Sequence, residues 1–139
     1  MIRYRIAITS EVIDVEGFRA TGRVRRESGT VEVKLAIVSV KPKTVLNPVD
    51  ARDIASLIKT YVKEVLTPQN DEVVAISGRM PLWLAMIVQH ELQHIVPALA
   101  VFDPKLGGAV VTAVHRWGLA VDVGDTVELD QETVKTLTQ

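Results

Sequence analysis

The sequence predicts an α/β (α+β) chain in which a mixed β-sheet carries two main helices and begins with an added N-terminal β-hairpin. Three observations support this class. The N-terminal third holds runs rich in β-branched residues whose polarity partly alternates, as in half-buried strands. Two later segments switch to a helical period. After residue 72 the order strand, helix, strand predicts parallel strands joined by a right-handed crossover.

The N-terminal part, residues 1–66, is predicted to form strands, a hairpin and the first helix. The predicted strands are "RYRIAIT", "GFRATGRVR" and "VEVKLAIVSV", and a hairpin turn is expected at Ser28-Gly29. Residues 47–66, "NPVDARDIASLIKTYVKEVL", follow a helical period with Asp50 as the expected N-cap. The apolar residues of one helix face are Ile54, Leu57, Ile58, Tyr61, Val62 and Val65.

The C-terminal part alternates strands with a second helix. "EVVAIS" is predicted as a short buried strand, and "GRMPLWLAMIVQHELQHIVP" as a turn and a helix that Pro97 limits. "ALAVFD" is the next strand, "PKLGG" a turn, "AVVTAVH" another strand, and "DTVEL" closes the sheet. The last ten residues, "DQETVKTLTQ", are expected to be a polar tail.

Composition narrows the function. The 139 residues fit a single domain over 1–139, and 16 Lys and Arg against 17 Asp and Glu exclude a globally basic nucleic-acid binder. We therefore expect no duplex nucleic acid as partner, although a local basic pocket remains compatible with this balance. The chain has no cysteine, which excludes disulfides and thiolate metal sites. Neither a signal peptide nor a membrane span is recognisable, so we expect no membrane partner and a cytoplasmic protein.

The motif "HELQH", His90 to His94, has the H-E-x-x-H spacing of zinc peptidases. Two histidines four residues apart on a helix present both imidazoles to one metal ion or phosphate. His115, at the end of a predicted strand, would complete a three-histidine metal site if the fold brings it to the helix. The alternative is that these histidines are partly buried, bonded to backbone, and bind nothing.

The zinc-peptidase hypothesis needs more than this motif. Glu91 would have to act as general base, and a third metal ligand would have to follow downstream. The sequence has no Gly-rich turn with a further histidine and no later helix with a suitably spaced glutamate. The peptidase therefore remains only a minor alternative.

Two segments beside the second helix are typical of phosphate chemistry. In "ISGRMPLWL" a strand ends in Ser77-Gly78-Arg79 before a helix, so backbone N–H groups, the helix dipole and Arg79 favour an anion. In "AVFDPKLGG" Asp103 ends a strand and Lys105 follows, where active-site groups of α/β folds gather. The alternatives are an ordinary turn with a surface arginine, and an Asp-Pro turn with a solvated lysine.

The second helix is apolar around most of its circumference. Trp83, Ile87, His90 and His94 share one stripe, and Leu84, Val88, Leu92 and Ile95 share another. Such a helix is usually covered on more than one side. The sheet covers one side, and we expect a second subunit on the other, which places the histidines beside a subunit interface.

Together, "ISGRMPLWL", the histidine-bearing helix, "PALAVFDPKLG" and "GAVVTAVH" resemble the Csx-three family of CRISPR-associated proteins, over about residues 72–129. Residues 1–66 have no motif of this family. The resemblance implies a compact ferredoxin-like fold (a Rossmann-like mixed sheet is the related description) and a ring nuclease of type III CRISPR antiviral defence. Such an enzyme cleaves cyclic tetra-adenylate, a second messenger, and switches off the effectors that it activates.

The resemblance also implies a cofactor, an assembly and residue roles. The cofactor is a divalent metal, manganese, and the working site lies between dimers that sandwich the ligand. His94, Asp103 and Lys105 match catalytic positions, with Lys105 where the family has arginine, and His90 and His115 match the other family histidines. We assign Ser77, Gly78 and Arg79 to ligand phosphates, and His90, His94 and His115 to the metal. The second hypothesis is a sensor or sponge that binds cyclic oligoadenylate without cutting it, since lysine lacks arginine's planar grip.

Overall fold

The computed structural model describes residues 2–9, for which only the backbone is described, and residues 11–139. The strands are β1 Ile2–Thr9, β2 Ile13–Arg26, β3 Gly29–Pro42, β4 Glu72–Ser77, β5 Ala98–Asp103, β6 Gly108–Val114 and β7 Thr126–Glu128. The helices are α1 Ala51–Tyr61, α2 Leu82–Leu92 and α3 Gln131–Thr138. A 3₁₀ turn, Pro48–Asp50, precedes α1, and a π-helical turn, Val62–Leu66, follows it.

All seven strands form one sheet in the order β1 to β7, and an additional pairing of β2 with β7 closes six of them into a ring. The closure lies at Arg23↔Glu128, and β1 pairs with β2 outside the ring. β3, β4 and β5 run parallel, whereas the other neighbours are antiparallel. The predicted α/β class with a mixed sheet is confirmed, and the closure of the sheet was not part of that prediction.

The two long helices cover the outer face of the sheet. Each parallel pair is joined through a helix, α1 between β3 and β4 and α2 between β4 and β5, as short parallel strands require. Leu84, Val88 and Leu92 of α2 are buried against α1 and the strands. Strand β4 is buried along its whole length because Val74 and Ile76 face these helices while Val73 and Ala75 face the inside of the ring.

A second core fills the interior of the ring. Small side chains on β4, β5 and β6 leave room for the sheet to curve into closure. The residues concerned are Ala75, Ala98, Ala100 and Ala109. Larger residues from β3, β7 and α3, among them Leu35, Ile37, Val127 and Leu137, complete this core. Among the described residues no helix is both long and apolar enough to cross a bilayer.

The prediction of a polar tail over 130–139 is wrong, because residues 131–138 form α3. The side chain of Asp130 accepts a hydrogen bond from the backbone N–H of Thr133 at 2.6 Å and caps the helix. Thr133 and Leu137, four residues apart, lie on one face and are buried. Two buried residues per eight are a weak periodic signal, which explains why the segment resembled a tail.

Two predicted helix ends also differ. Asp50 makes no capping bond with its side chain, and Asn47 instead caps the 3₁₀ turn by accepting from Val49 N–H at 3.1 Å. The helix predicted to reach His94 ends at Leu92, so His94 lies in the turn that follows. Val96 is buried, so the turn packs against the core. Val96 also precedes Pro97, and the residue before a proline is disfavoured in an α-helix.

Candidate functional site

Five of the predicted site residues gather at the carboxyl ends of the parallel strands. β4 and β5 are paired through Ile76↔Val101, so both strands end at the same edge of the sheet. Ser77, Gly78 and Arg79 follow from β4, and Asp103 and Lys105 from β5. We call these five residues the carboxyl-end cluster.

Gly78 has a backbone that no other residue adopts easily. Its φ is +130°, and a Cβ atom at this position would lie 1.9 Å from the carbonyl oxygen of Val40. Strand β3 therefore approaches the β4–α2 turn as closely as the backbone permits. The turn presents the exposed side chain of Arg79 at its end, and within residues 11–139 no carboxylate pairs with this guanidinium at salt-bridge distance.

Ser77 is 2% exposed, and its Oγ has no hydrogen-bond partner in the described part of the chain. It lines a cavity of about 560 Å³ at this edge of the sheet, together with Arg79 and the last turn of α3. Buried hydroxyl groups are nearly always bonded, so an unpartnered one in a cavity wall is suited to a ligand or water.

Asp103 and Lys105 form a tight turn after β5. The backbone N–H of Lys105 donates to Oδ1 of Asp103 at 2.9 Å, as in an Asp-initiated turn. The Lys105 side chain is exposed. One oxygen of Asp103 thus fixes the loop, and the ammonium of Lys105 is available to an anion at the edge of the sheet.

The three histidines lie together at the other end of the molecule. The rings of His90 and His94 have centroids 6.5 Å apart, and those of His94 and His115 are 5.8 Å apart. His115 follows β6 and donates its backbone N–H to the carbonyl of Pro97 at 2.8 Å, which holds the two turns together. All three rings are exposed, and the expectation that the fold brings His115 to His94 is met. We call these residues the histidine cluster.

His94 has one side-chain neighbour that bears on its tautomer. Nε2 of His94 lies 3.3 Å from Nε2 of Gln93. An amide nitrogen only donates, so this contact needs Nε2 of His94 as the acceptor and the ring proton on Nδ1.

The histidine cluster fits a divalent transition-metal ion by its chemistry, because imidazoles are nitrogen donors that such ions accept and the exposed ring of His94 lies beside both other rings. Within residues 11–139 no three side chains of His, Asp or Glu are already arranged as a complete ligand set. Binding of one shared ion would require these side chains to rotate toward it.

The carboxyl-end cluster and the histidine cluster do not meet within one chain. His94 precedes β5 and Asp103 ends it. At roughly 3.3 Å per residue, the strand places about 16 Å between its two ends. His115 stays with His94 because β6 runs antiparallel to β5, with Ala98↔Val114 as the last pair. Within one chain Asp103 therefore neither orients His94 nor shares a metal ion with it.

The geometry does not suit the zinc-peptidase alternative. His90 lies in the last turn of α2, whereas His94 lies beyond the end of the helix at Leu92, so the two histidines do not occupy successive turns of one helix. The carboxylate of Glu91, which would be the general base, faces Nζ of Lys59 at 3.6 Å.

Sequence reasoning missed two groups of residues. Trp117, two positions after His115, is 99% exposed and lines a recess of about 510 Å³ with Arg116 and residues 69–71. Lys41 and Ser39 on β3 line the cavity at the carboxyl-end cluster. For the first group, a tryptophan in a Gly-containing turn was the sequence signal that could have indicated an exposed functional loop. The second depends on the pairing of β3 with β4, which local spacing does not reveal.

The profile of the family described as "CRISPR-associated protein (Cas_csx3)" matches residues 52–128, which is more than half of the chain. The chain belongs to this family. The match runs from α1 to β7 and includes every residue of both clusters, so the resemblance carried by the motifs is confirmed. It leaves β1, β2, β3 and α3 outside the part matched to Cas_csx3 proteins.

A curated protein from Aquifex aeolicus (strain VF5), described as an uncharacterized protein, is 45% identical over 42 residues. The aligned stretch covers 30% of this chain and 37% of that relative. The chain therefore spans just over a third of the relative's length, and the similarity adds no activity to the Cas_csx3 assignment.

Proposed function

We propose that this protein is a ring nuclease that cleaves cyclic tetra-adenylate and so ends the signal of a type III CRISPR response. Family membership supports the CRISPR setting. The observation that carries the proposal is the division of the site: anion-binding groups lie at one end of β5, and proton- or metal-binding imidazoles lie at the other. The imidazoles and the Ser-Gly-Arg turn lie at opposite ends of one chain, and we infer that two copies meet with the ligand between them.

The carboxyl-end cluster holds the phosphates. Backbone N–H groups after Ser77, the close approach permitted at Gly78, and the guanidinium of Arg79 suit a phosphodiester oxygen. Lys105 adds a second positive charge that faces the charge developing on the phosphate. A small anion needs only this local field, which agrees with the overall charge of −1.

The histidine cluster of a second copy supplies the proton transfers. The 2′-oxygen of a ribose attacks the adjacent phosphorus, and the bond from phosphorus to the 5′-oxygen breaks. His94 takes the proton of the 2′-hydroxyl, and a proton is returned to the leaving 5′-oxygen, from His94 or from water. The products are a linear oligoadenylate with a 2′,3′-cyclic phosphate and a free 5′-hydroxyl. Asp103, whose Oδ1 is fixed by Lys105 N–H, orients that imidazole across the interface.

A divalent metal, expected to be manganese, would be held by His90 and His115, with His94 as the third ligand where that ring binds the metal instead of transferring the proton. When bound it would stabilise negative charge on a phosphate oxygen as a Lewis acid. Imidazoles alone favour softer ions than manganese, and an oxygen ligand from the facing copy, such as Asp103, would shift the preference toward manganese.

The assembly that we propose is a homodimer, with dimers meeting end to end around the ligand. One outward face of α2 carries Leu82, Met86 and His90, which follow one another at intervals of four residues. Leu82 is 77% exposed and Met86 is 65% exposed. A second copy on this apolar face would lie directly beside the histidine cluster. A ligand with four equivalent nucleotides matches such a two-fold assembly.

The test is incubation of the purified protein with labelled cyclic tetra-adenylate, with and without manganese. We expect a linear product from the wild type, and a loss of at least about a hundredfold in rate for His94→Ala and Asp103→Ala, the range for removal of a general acid or base. Asp50→Ala is the matched control, because Asp50 is exposed and its side chain caps nothing.

The same experiment separates the second candidate. Ligand that is retained without product, in the wild type and at every metal concentration, identifies a sensor or sponge. Lys105 in the family's arginine position favours this alternative, since lysine keeps the charge but lacks the two-pronged grip. Failure to bind the ligand at all would contradict both candidates.

A further inference from the structure

Trp117 is the most exposed large apolar side chain of the described residues, at 99%. Tryptophan is on average largely buried in folded proteins, and it is among the residues most enriched at the centres of protein interfaces. Trp117 follows His115 by two positions, and residues 69–71, which precede β4, line the recess beside it. The indole therefore lies at the same end of the molecule as the histidine cluster, and its own chain leaves it uncovered.

The loop that carries Trp117 is fixed at both ends. At its start, the backbone N–H of His115 donates to the carbonyl of Pro97 at 2.8 Å. At its end, the guanidinium of Arg26 donates to both carboxylate oxygens of Asp125, at 2.8 and 2.7 Å. A partner that covers the indole would therefore order little backbone, which reduces the entropic cost of binding.

The cavity at the carboxyl-end cluster has the size and the walls to receive an aromatic ring. Its volume of about 560 Å³ is within the range of small-molecule sites, roughly 300–1,000 Å³. Apolar lining is provided by Pro42, Phe102, Pro104 and Leu137. Aromatic side chains bury about 150–250 Å² each, and contact with another aromatic ring adds to the gain in free energy.

The polar wall of this cavity offers a hydrogen-bond acceptor. Ser77 is 2% exposed, and its Oγ has no hydrogen-bond partner within the described residues. Such a buried hydroxyl is unfavourable until another group bonds to it. The indole N–H is a donor only. An indole that enters the cavity can therefore satisfy its own N–H and the hydroxyl of Ser77 at once.

The rim of the cavity also suits the face of an indole. Lys41 is exposed there, and no lining side chain within residues 11–139 is acidic. The face of an indole is electron-rich and attracts an ammonium group within about 6 Å. Lys41 and Leu137 lie outside the segment matched to the family, so these walls belong to the added parts of the chain.

We propose that Trp117 of one copy inserts into this cavity of the next copy, with the indole N–H donating to Ser77 Oγ. The proposal rests on the proposed function for the orientation of the two copies, in which the histidine cluster of one faces the carboxyl-end cluster of the other. Phe102 and Pro104, the two neighbours of Asp103, line the cavity. Trp117 and the cavity therefore come together whenever His115 and Asp103 do, and the contact sets the register of the shared site.

Sedimentation of the ligand-free protein tests this contact, in a Met86→Asp background so that association through the exposed face of α2 does not contribute. The contact joins opposite ends of two copies, so the mass should rise with protein concentration. Trp117→Ala should weaken the association about thirtyfold, the range for loss of a buried tryptophan anchor. Ser77→Ala, which removes the acceptor, should weaken it about fivefold.

Val123→Ala is the matched control, because Val123 is 66% exposed in the same loop and should leave the association unchanged. Wild-type association by Trp117→Ala would overturn the proposal. So would a protein with an intact Trp117 that stays unassociated at millimolar concentration.

A mixture of two variants separates the proposed contact from a general defect. Thr138→Trp fills the mouth of the cavity from an exposed position, whereas Lys135→Trp, exposed on the same helix but not in the cavity wall, is its control. Neither Trp117→Ala nor Thr138→Trp should associate alone. An equal mixture keeps one intact indole and one intact cavity, so we expect pairs to form. A mixture that sediments like its separate components would overturn the assignment.

The outcomes separate this inference from the proposed function. Ligand-free association that Trp117→Ala weakens, without cleavage of cyclic tetra-adenylate by the wild type, supports the contact and contradicts the nuclease. Cleavage by the wild type, together with a Trp117→Ala protein of unchanged association, kcat and KM, supports the nuclease and contradicts the contact.

Discussion

Gly78 is the residue at which backbone geometry and the proposed anion site depend on each other most directly. Its positive φ turns the chain from β4 toward α2, and the carbonyl of Val40 occupies the space that a side chain would need. The same turn holds Ser77 and Arg79 in the wall of the cavity at the carboxyl-end cluster. The sequence could predict this role because Ser-Gly-Arg after a buried strand is a local signal.

We predict that Gly78→Ala destabilises the fold by more than about 2 kcal/mol, since a strained backbone and a steric clash add together. Gly29→Ala is the matched control, because Gly29 has nearly the same φ, +133°, with nothing within 4 Å of the added Cβ. Urea unfolding of both variants isolates the clash with Val40. Equal stability of the two variants would show that β3 does not approach the turn as described.

The relation of His94 to Asp103 was harder to predict, although the information was present. The strand "ALAVFD" was predicted between them, and the two ends of an extended strand lie far apart, at opposite edges of the sheet. The family resemblance placed both residues in one catalytic set. Both statements hold together only if the set is divided between chains.

Among the secondary-structure elements, α3 and the C-terminal end of α2 agree least with the prediction from the sequence. Helix α3 has a short apolar face, so its stability depends on the Asp130 cap and on Leu137 packing across the ring interior. The end of α2 depends on Val96 and Pro97, which act from outside the helix. Strands β4 and β5 were predicted closely because buried parallel strands are continuous apolar runs.

We predict that Asp130→Ala destabilises the protein by about 1 kcal/mol through loss of the helix cap. Hydrogen bonding to the backbone N–H of Thr133 lowers the pKa of Asp130 below its ordinary value. The ionised cap therefore stabilises the fold fully above the unfolded pKa of about 3.9, and its contribution is lost as the pH falls through the lower folded value.

Chemical denaturation between neutral pH and about pH 2.5 measures the contribution of the ionised Asp130 cap to the free energy of unfolding. Asp130→Asn is the control, because asparagine caps a helix without titrating. The variant with asparagine should lose less stability on acidification than the wild type. Identical acid profiles of wild type and Asp130→Asn would contradict the assignment.

The exposed face of α2 gives a prediction about assembly. A charge placed between two apolar surfaces is poorly tolerated, whereas the same charge on a free surface costs little. We expect Met86→Asp to lower the oligomer mass measured by sedimentation while leaving the unfolding midpoint of the single chain unchanged. Thr60→Asp, on an exposed position of α1, is the control. A Met86→Asp protein with wild-type mass would remove this face as the interface.

At the scale of the whole molecule, closure of the sheet keeps the two clusters apart. The pairing of β2 with β7 and the packing of both helices on one face fix the strand ends, so a hinge within the chain cannot bring Asp103 to His94. The mixed α/β class followed from local patterns. Closure did not, because it depends on the three-residue strand β7 and on the contact Arg23↔Glu128, far apart in the sequence.

The most direct test of the divided site is complementation between two inactive chains, His94→Ala and Asp103→Ala. In a mixed assembly the histidine cluster of the Asp103→Ala chain can face the carboxyl-end cluster of the His94→Ala chain, which restores one intact site. We predict that each variant alone is inactive and that an equal mixture recovers roughly a quarter of the wild-type rate of cyclic tetra-adenylate cleavage, as random pairing gives. A mixture as inactive as its components, under conditions in which the wild type cleaves, would contradict a site built from two copies.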